Sequence, residues 1–71
     1  MKLTINGEQK DVADSVKTIT ELLSDQDVKM PEMVSVEHNG EILDREALET
    51  TSISDGDKIE FLYFMGGGAI A

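Results

Sequence analysis

Hydrophobic and polar positions change period along the chain, and the changes mark out its elements. From Lys2 to Asn6 the alternation Lys-Leu-Thr-Ile-Asn puts Leu3 and Ile5 on one face of a strand, and Asn6-Gly7 follows as a hairpin turn. A return strand is expected over about residues 9–13. The period then becomes helical at Ile19, Leu22, Leu23 and Gln26, and Thr18-Ile19-Thr20-Glu21 has the form of a capping box, which predicts a helix over about 19–26. Pro31 forbids helix in its neighbourhood and biases Met30 to extended backbone, so a strand is expected near 33–38 and ends at the Asn39-Gly40 turn. Glu41-Ile42-Leu43 gives at most a short strand. Residues 44–54 read as a charged, irregular connection with one helical turn, anchored by Leu48 and Ile53. Asp55-Gly56-Asp57 is a tight-turn signal that launches the strongest strand, Lys58 to Phe64. Its alternation puts Ile59, Phe61 and Tyr63 on one face and Lys58, Glu60, Leu62 and Phe64 on the other.

Strand, strand, helix, strand, short strand, strand describes an α+β roll, a mixed sheet with one helix laid across one face. The expected core is Leu3, Ile5, Ile19, Leu22, Leu23, Val34, Val36, Leu48, Ile53, Ile59 and Phe61. A single domain is expected over 1–64, followed by a flexible, disordered Gly-rich tail over 65–71.

Composition narrows what such a domain does. Nineteen of the 71 residues are Leu, Ile, Val or Phe, above the roughly 20% level below which highly charged chains stay disordered. A chain this short buries only about 60% of its unfolded surface, too little to enclose a deep substrate cavity, so it is not expected to be an enzyme. The formal charge of −9 and the scattered Lys and Arg argue against nucleic acid and for a basic partner surface. There is no Cys, hence no disulfide framework, which suits a reducing compartment. No leader-like apolar stretch opens the chain, and no apolar run approaches the roughly 20 residues of a membrane span. The expectation is a cytoplasmic protein, monomeric on its own.

Few side chains suggest chemistry. His38 is the single histidine, without Cys or ordered acidic spacing around it, so no metal site is expected and it belongs at a strand end beside Asn39. Asp55 and Asp57 build a turn. Asp14-Ser15-Val16 is similar to the phosphopantetheine site of acyl carrier proteins, but those are all-helical, and Ser15 is expected to shape the loop entering the helix.

The last eleven residues, Phe61 to Ala71, carry no charge in a chain that is 30% charged. Met65-Gly66-Gly67-Gly68 follows the last strand directly. Four extended residues beyond Phe64 reach at most roughly 13–14 Å, enough to bring Gly68 into a narrow slot in another protein that only glycine enters. Leu62, Phe64, Met65 and Gly66 are the expected docking residues beside it, with Glu37 and Glu60 placed to steer a basic partner.

The order of these pieces resembles the ThiS-like sulfur carriers of thiamine biosynthesis. The resemblance rests on the opening Leu-Thr-Ile-Asn-Gly-Glu hairpin, Asn39-Gly40-Glu41-Ile42, Asp55-Gly56-Asp57-Lys58-Ile59-Glu60 and the terminal aromatic-Met-Gly-Gly-Gly, and it covers residues 1–68. It implies a ubiquitin-like β-grasp fold and a C-terminal glycine, Gly68 or Gly67, as the working group. A ubiquitin-activating-type enzyme would adenylate that carboxylate with its own ATP, the carrier binding no cofactor. Sulfur would then convert it to a thiocarboxylate for thiazole synthase. Ala69-Ile70-Ala71 departs from the pattern, because it locks the Gly68 carbonyl in an amide, and implies trimming by a processing protease. The alternatives are a sulfur donor for cysteine, homocysteine or molybdopterin synthesis, a modifier attached to lysines, and a non-covalent interaction module.

Overall fold

A computed structural model describes residues 1–63. Its sheet has five strands in the order β2-β1-β5-β3-β4, formed by β1 (Lys2–Ile5), β2 (Glu8–Asp11), β3 (Val34–His38), β4 (Glu41–Ile42) and β5 (Lys58–Tyr63). The first and last strands lie parallel at the centre, Ile5 beside Ile59, while every other pairing is antiparallel.

Both hairpins close over two-residue Asn-Gly loops. Asn6 and Gly7 have φ of 52° and 84°, Asn39 and Gly40 51° and 90°, the paired positive values that a right-twisted hairpin requires. The return strand β2 begins and ends earlier than its pattern suggested, with all four residues exposed. Val12 nonetheless donates its N–H to the Met1 carbonyl at 2.8 Å, which extends the ladder and turns Val12 into the core.

The helix α1 (Ile19–Asp25) starts as its sequence implies. Thr18 Oγ1 accepts from the Glu21 N–H at 3.3 Å, and Glu21 Oε1 accepts from the N–H groups of Thr18 and Lys17 at 3.1 and 2.7 Å. It ends well before Pro31, with Gln26 as its cap, and Asp27 follows at a φ of 58°. There the Asp27 N–H bonds to the Ser24 carbonyl and the Val28 N–H to that of Leu23, both at 3.0 Å, the double closure of a left-handed helix end. Met33, expected to open β3, instead closes a 3-10 turn over Pro31–Met33. A second such turn, Arg45–Leu48, supplies the helical turn of the connection. From it the Arg45 guanidinium reaches the carbonyls of Pro31, Glu32 and Val34 and ties the connection to the start of β3.

All eleven expected core residues are buried, and Val12 and Val16 join them. Ile19, Leu22 and Leu23 of α1 lie in one cluster with the inward residues of β1, β3 and β5. Among the described residues no helix lies over the opposite face of the sheet.

Candidate functional site

The strand that leads to the glycines runs down the middle of the sheet, held by β1 on one side and β3 on the other. Phe64, Met65, Gly66, Gly67 and Gly68 lie outside the described residues, as do residues 69–71. Leu62, the docking residue that is described, sits on the open face opposite Ser35 and is 42% exposed. The next pair down that face is Glu60 and Glu37, directly opposite each other, and Ile42, exposed, stands beside Glu37. Two like charges in such a pair oppose sheet formation, so this acidic strip with apolar flanks carries a cost in stability. Lys58 is its cationic neighbour in a hollow of about 140 Å³ lined also by Gly40.

On the helix-bearing face the strand ends differently. Tyr63, opposite Val34, belongs to the face of Ile59 and Phe61 yet is half exposed, because α1 does not extend over it. A groove of about 230 Å³ opens there, with Ile5, Val28, Phe61 and Tyr63 as its apolar wall and Asn6, Glu8, Lys10 and Gln26 around them. Its volume is below the range of small-molecule sites.

At the other end of β5, His38 Nε2 lies 2.8 Å from Asp57 Oδ2, while Asp57 also accepts from Asn39 Nδ2 at 3.1 Å and from the Ser54 N–H at 2.9 Å. Burial pushes the Asp57 carboxyl up, but the bonds from His38, Asn39 and Ser54 outweigh it and hold the group below its ordinary value of 3.8. His38 is at a strand end beside the turn, as expected. Its partner was not foreseen, although Asp57 immediately precedes Lys58, which faces Asn39 across the ladder. Asp55 also belongs to the turn region, its Oδ1 accepting from the Lys2 N–H at 2.6 Å. Ser15 is exposed in the loop before α1. Among the described residues no group of three or more His, Cys, Asp or Glu is arranged to hold a metal ion, and no helix is long and apolar enough to cross a membrane.

Residues 3–68 match the model of the ThiS family. The chain belongs to the ThiS family. Its fold is therefore the ubiquitin-like β-grasp, and the resemblance to ThiS-like sulfur carriers holds at the level of the family. The crystal structure of the thiamine biosynthesis protein ThiS from Geobacter metallireducens is 52% identical, with a TM-score of 0.85 over 96% of this chain and 100% of that one. A solution NMR structure of a thiamine biosynthesis protein from the same organism gives 50% identity and a TM-score of 0.78, over 100% of this chain and 92% of that one. The chain is also 39% identical over 69 residues, 97% of its length, to a protein of Paramagnetospirillum magneticum named thiazole synthase. It spans only 21% of that relative's length.

Proposed function

We propose that this ThiS-family chain carries sulfur as a thiocarboxylate on Gly68, once Ala69-Ile70-Ala71 has been removed, and delivers it to thiazole formation in thiamine biosynthesis. The observation that carries the proposal is the extent of the family match, which runs through all three glycines and ends at residue 68. The glycine end thus lies within the segment that the family model matches, and Ala69-Ile70-Ala71 lies beyond it.

The chemistry needs little from the domain itself. A carboxylate is a poor acylating group; attack of its oxygen on the α-phosphorus of ATP expels pyrophosphate and leaves an acyl adenylate. Sulfide then adds to the carbonyl carbon and expels AMP, which leaves the thiocarboxylate. Where the sulfur comes from a protein persulfide, a second thiol must cleave the resulting acyl disulfide. These steps fall to an adenylating partner that binds the ATP, and the carrier is a substrate rather than a catalyst. Its own contribution is presentation: a central strand that leads through Phe64 and Met65 to glycines without side chains to obstruct attack. Leu62, with Phe64, Met65 and Gly66 beyond it, forms the docking surface, and the Glu37–Glu60 strip selects a partner with cations at the matching place.

Thiazole synthase is the favoured acceptor because a relative of that name contains a segment 39% identical to nearly the whole of this chain. Carrier and acceptor joined in one polypeptide meet without diffusion, and separate chains must reproduce that contact by docking.

Intact-mass spectrometry of the purified chain, before and after incubation with soluble extract of its host, ATP and sulfide, tests the proposal. Loss of Ala69-Ile70-Ala71 followed by replacement of one oxygen by sulfur is expected. An unchanged mass in an extract that demonstrably thiocarboxylates another carrier would overturn it.

A further inference from the structure

We propose that the outer edge of β2 is a self-association surface, on which a second copy of this chain pairs antiparallel with Gln9 opposite Gln9. β2 is the outermost strand on its side of the sheet, and all four of its side chains are exposed. The Val12 N–H bonds to the Met1 carbonyl at 2.8 Å, which fixes the phase of the ladder between β1 and β2. Bonded and non-bonded pairs alternate along such a ladder, so Lys10 opposite Leu3 and Glu8 opposite Ile5 turn their backbone groups toward β1. The N–H and C=O of Gln9 and Asp11 point the other way, and among the described residues nothing bonds to them. The far edge of the sheet is closed instead. There β4 has two residues, the Val36 carbonyl accepts from the Leu43 N–H at 2.9 Å, and the Arg45 guanidinium takes the carbonyls of Val34, Glu32 and Pro31.

Ladder parity and charge together select one register. Two copies of the β2 edge bond only where outward residues face outward residues, so one residue of the strand must face its own copy. Glu8, Lys10 or Asp11 in that place sets like charges opposite each other, which opposes pairing. Gln9 is the uncharged residue of β2. With Gln9 facing Gln9, Glu8 of each copy stands opposite Lys10 of the other, and Asp11 falls opposite the turn glycine Gly7. Glu8 and Lys10 share the face of Ile5 and Leu3, so both ion pairs form on that face and the two Gln9 amides meet on the other. The Asp11 carboxylate is already matched within its own chain by Lys2 Nζ at 3.3 Å.

The product is one continuous sheet in which the two copies of β5 run in opposite directions. The faces that carry Leu62, Glu37 and Glu60 lie on the same side and stay open, so pairing at β2 does not compete with docking there. Two chains of charge −9 repel at long range. Salt shortens that repulsion from about 30 Å at 0.01 M to about 8 Å at 0.15 M and screens contact pairs less, so association is expected to strengthen over this range.

Sedimentation equilibrium of the full chain, up to millimolar concentration and in both salts, tests the proposal together with three variants. Lys10→Glu turns both opposite-charge pairs into like pairs and is expected to weaken the dimer about tenfold. Glu8→Lys with Lys10→Glu exchanges the charges and is expected to restore it. Lys29→Glu, the same change in net charge at an exposed residue away from β2, is expected to keep it. Amide shifts that move with concentration are expected at Gln9 and Asp11. A monomer under every condition would overturn the proposal, as would a dimer indifferent to Lys10→Glu, a double variant that fails to restore it, or moving shifts centred on Ile42 and Leu62. None of these readouts depends on sulfur chemistry, so this proposal and the mass experiment above fail separately.

Discussion

Asn6 and Asn39 each do two things that no other described residue does together. Each takes a positive φ, 52° and 51°, and each reaches across with its side chain to complete the ladder of β5. Asn6 Oδ1 accepts from the Phe61 N–H, and Asn39 Oδ1 from the Lys58 N–H, both at 2.8 Å. Glycine would satisfy the turn equally well and leave those two N–H groups without partners. Asn6→Gly is therefore expected to lower stability by about 1 kcal/mol, and Asn39→Gly by somewhat more because it also releases Asp57. Denaturant titration measures both, with an unchanged slope; a glycine variant as stable as the parent would show that the side-chain bonds contribute nothing. An Asn-Gly pair in a sequence announces a turn. It does not announce that the asparagine amide bridges to a strand 55 residues away, and that is why these contacts were not legible.

At the scale of elements, what could be read is what is encoded locally. The capping box of α1, both two-residue hairpins and the alternation of β5 all depend on residues within four positions of one another, and each forms where the pattern put it. The helix also ends within a residue of its expected end, although the left-handed residue after its cap is Asp27 rather than a glycine. Its left-handed φ of 58° is a conformation that most side chains resist, though Asp tolerates it better than most. Asp27→Gly relieves that strain and keeps the closing bonds to the Ser24 and Leu23 carbonyls, so a gain of about 0.5–1 kcal/mol is expected. Thermal unfolding would register it as a higher Tm, and a lower one would mean that the exposed Lys29 contact of Asp27 outweighs the strain. Val12 and Val16 escaped notice. Val12 stands just past the end of β2 and Val16 in the loop before α1, where no regular period reports burial, and only the closure against Met1 and the turn before α1 brings them inside. The three glycines stand in the sequence itself, whereas the groove beside Tyr63 exists only because three separate elements end near one another.

For the whole molecule, charge is the quantity that decides behaviour. A net −9 spread over a small surface means that like charges repel throughout, and the facing pair Glu37 and Glu60 is the local form of the same imbalance. Salt screens that repulsion over about 30 Å at 0.01 M and about 8 Å at 0.15 M, so stability at pH 7 is expected to rise across this range. Acid removes particular contacts. At Asp57 burial is outweighed by the bonds to His38, Asn39 and Ser54, and the folded pKa lies below the ordinary 3.8. The same is true of Glu21, its carboxylate held below 4.5 by the N–H groups of Lys17 and Thr18. With both depressed in the folded state, the unfolded chain binds protons first, and their stabilisation, complete above their ordinary values, is lost as pH falls below them. A plot of unfolding free energy against pH should therefore turn downward below about pH 4. Asp57→Asn should lie below the parent at pH 7 and converge on it in acid, because the parent loses there what the variant never had. Parallel curves for the two proteins down to pH 2 would show that the Asp57 cluster is not what acid dismantles.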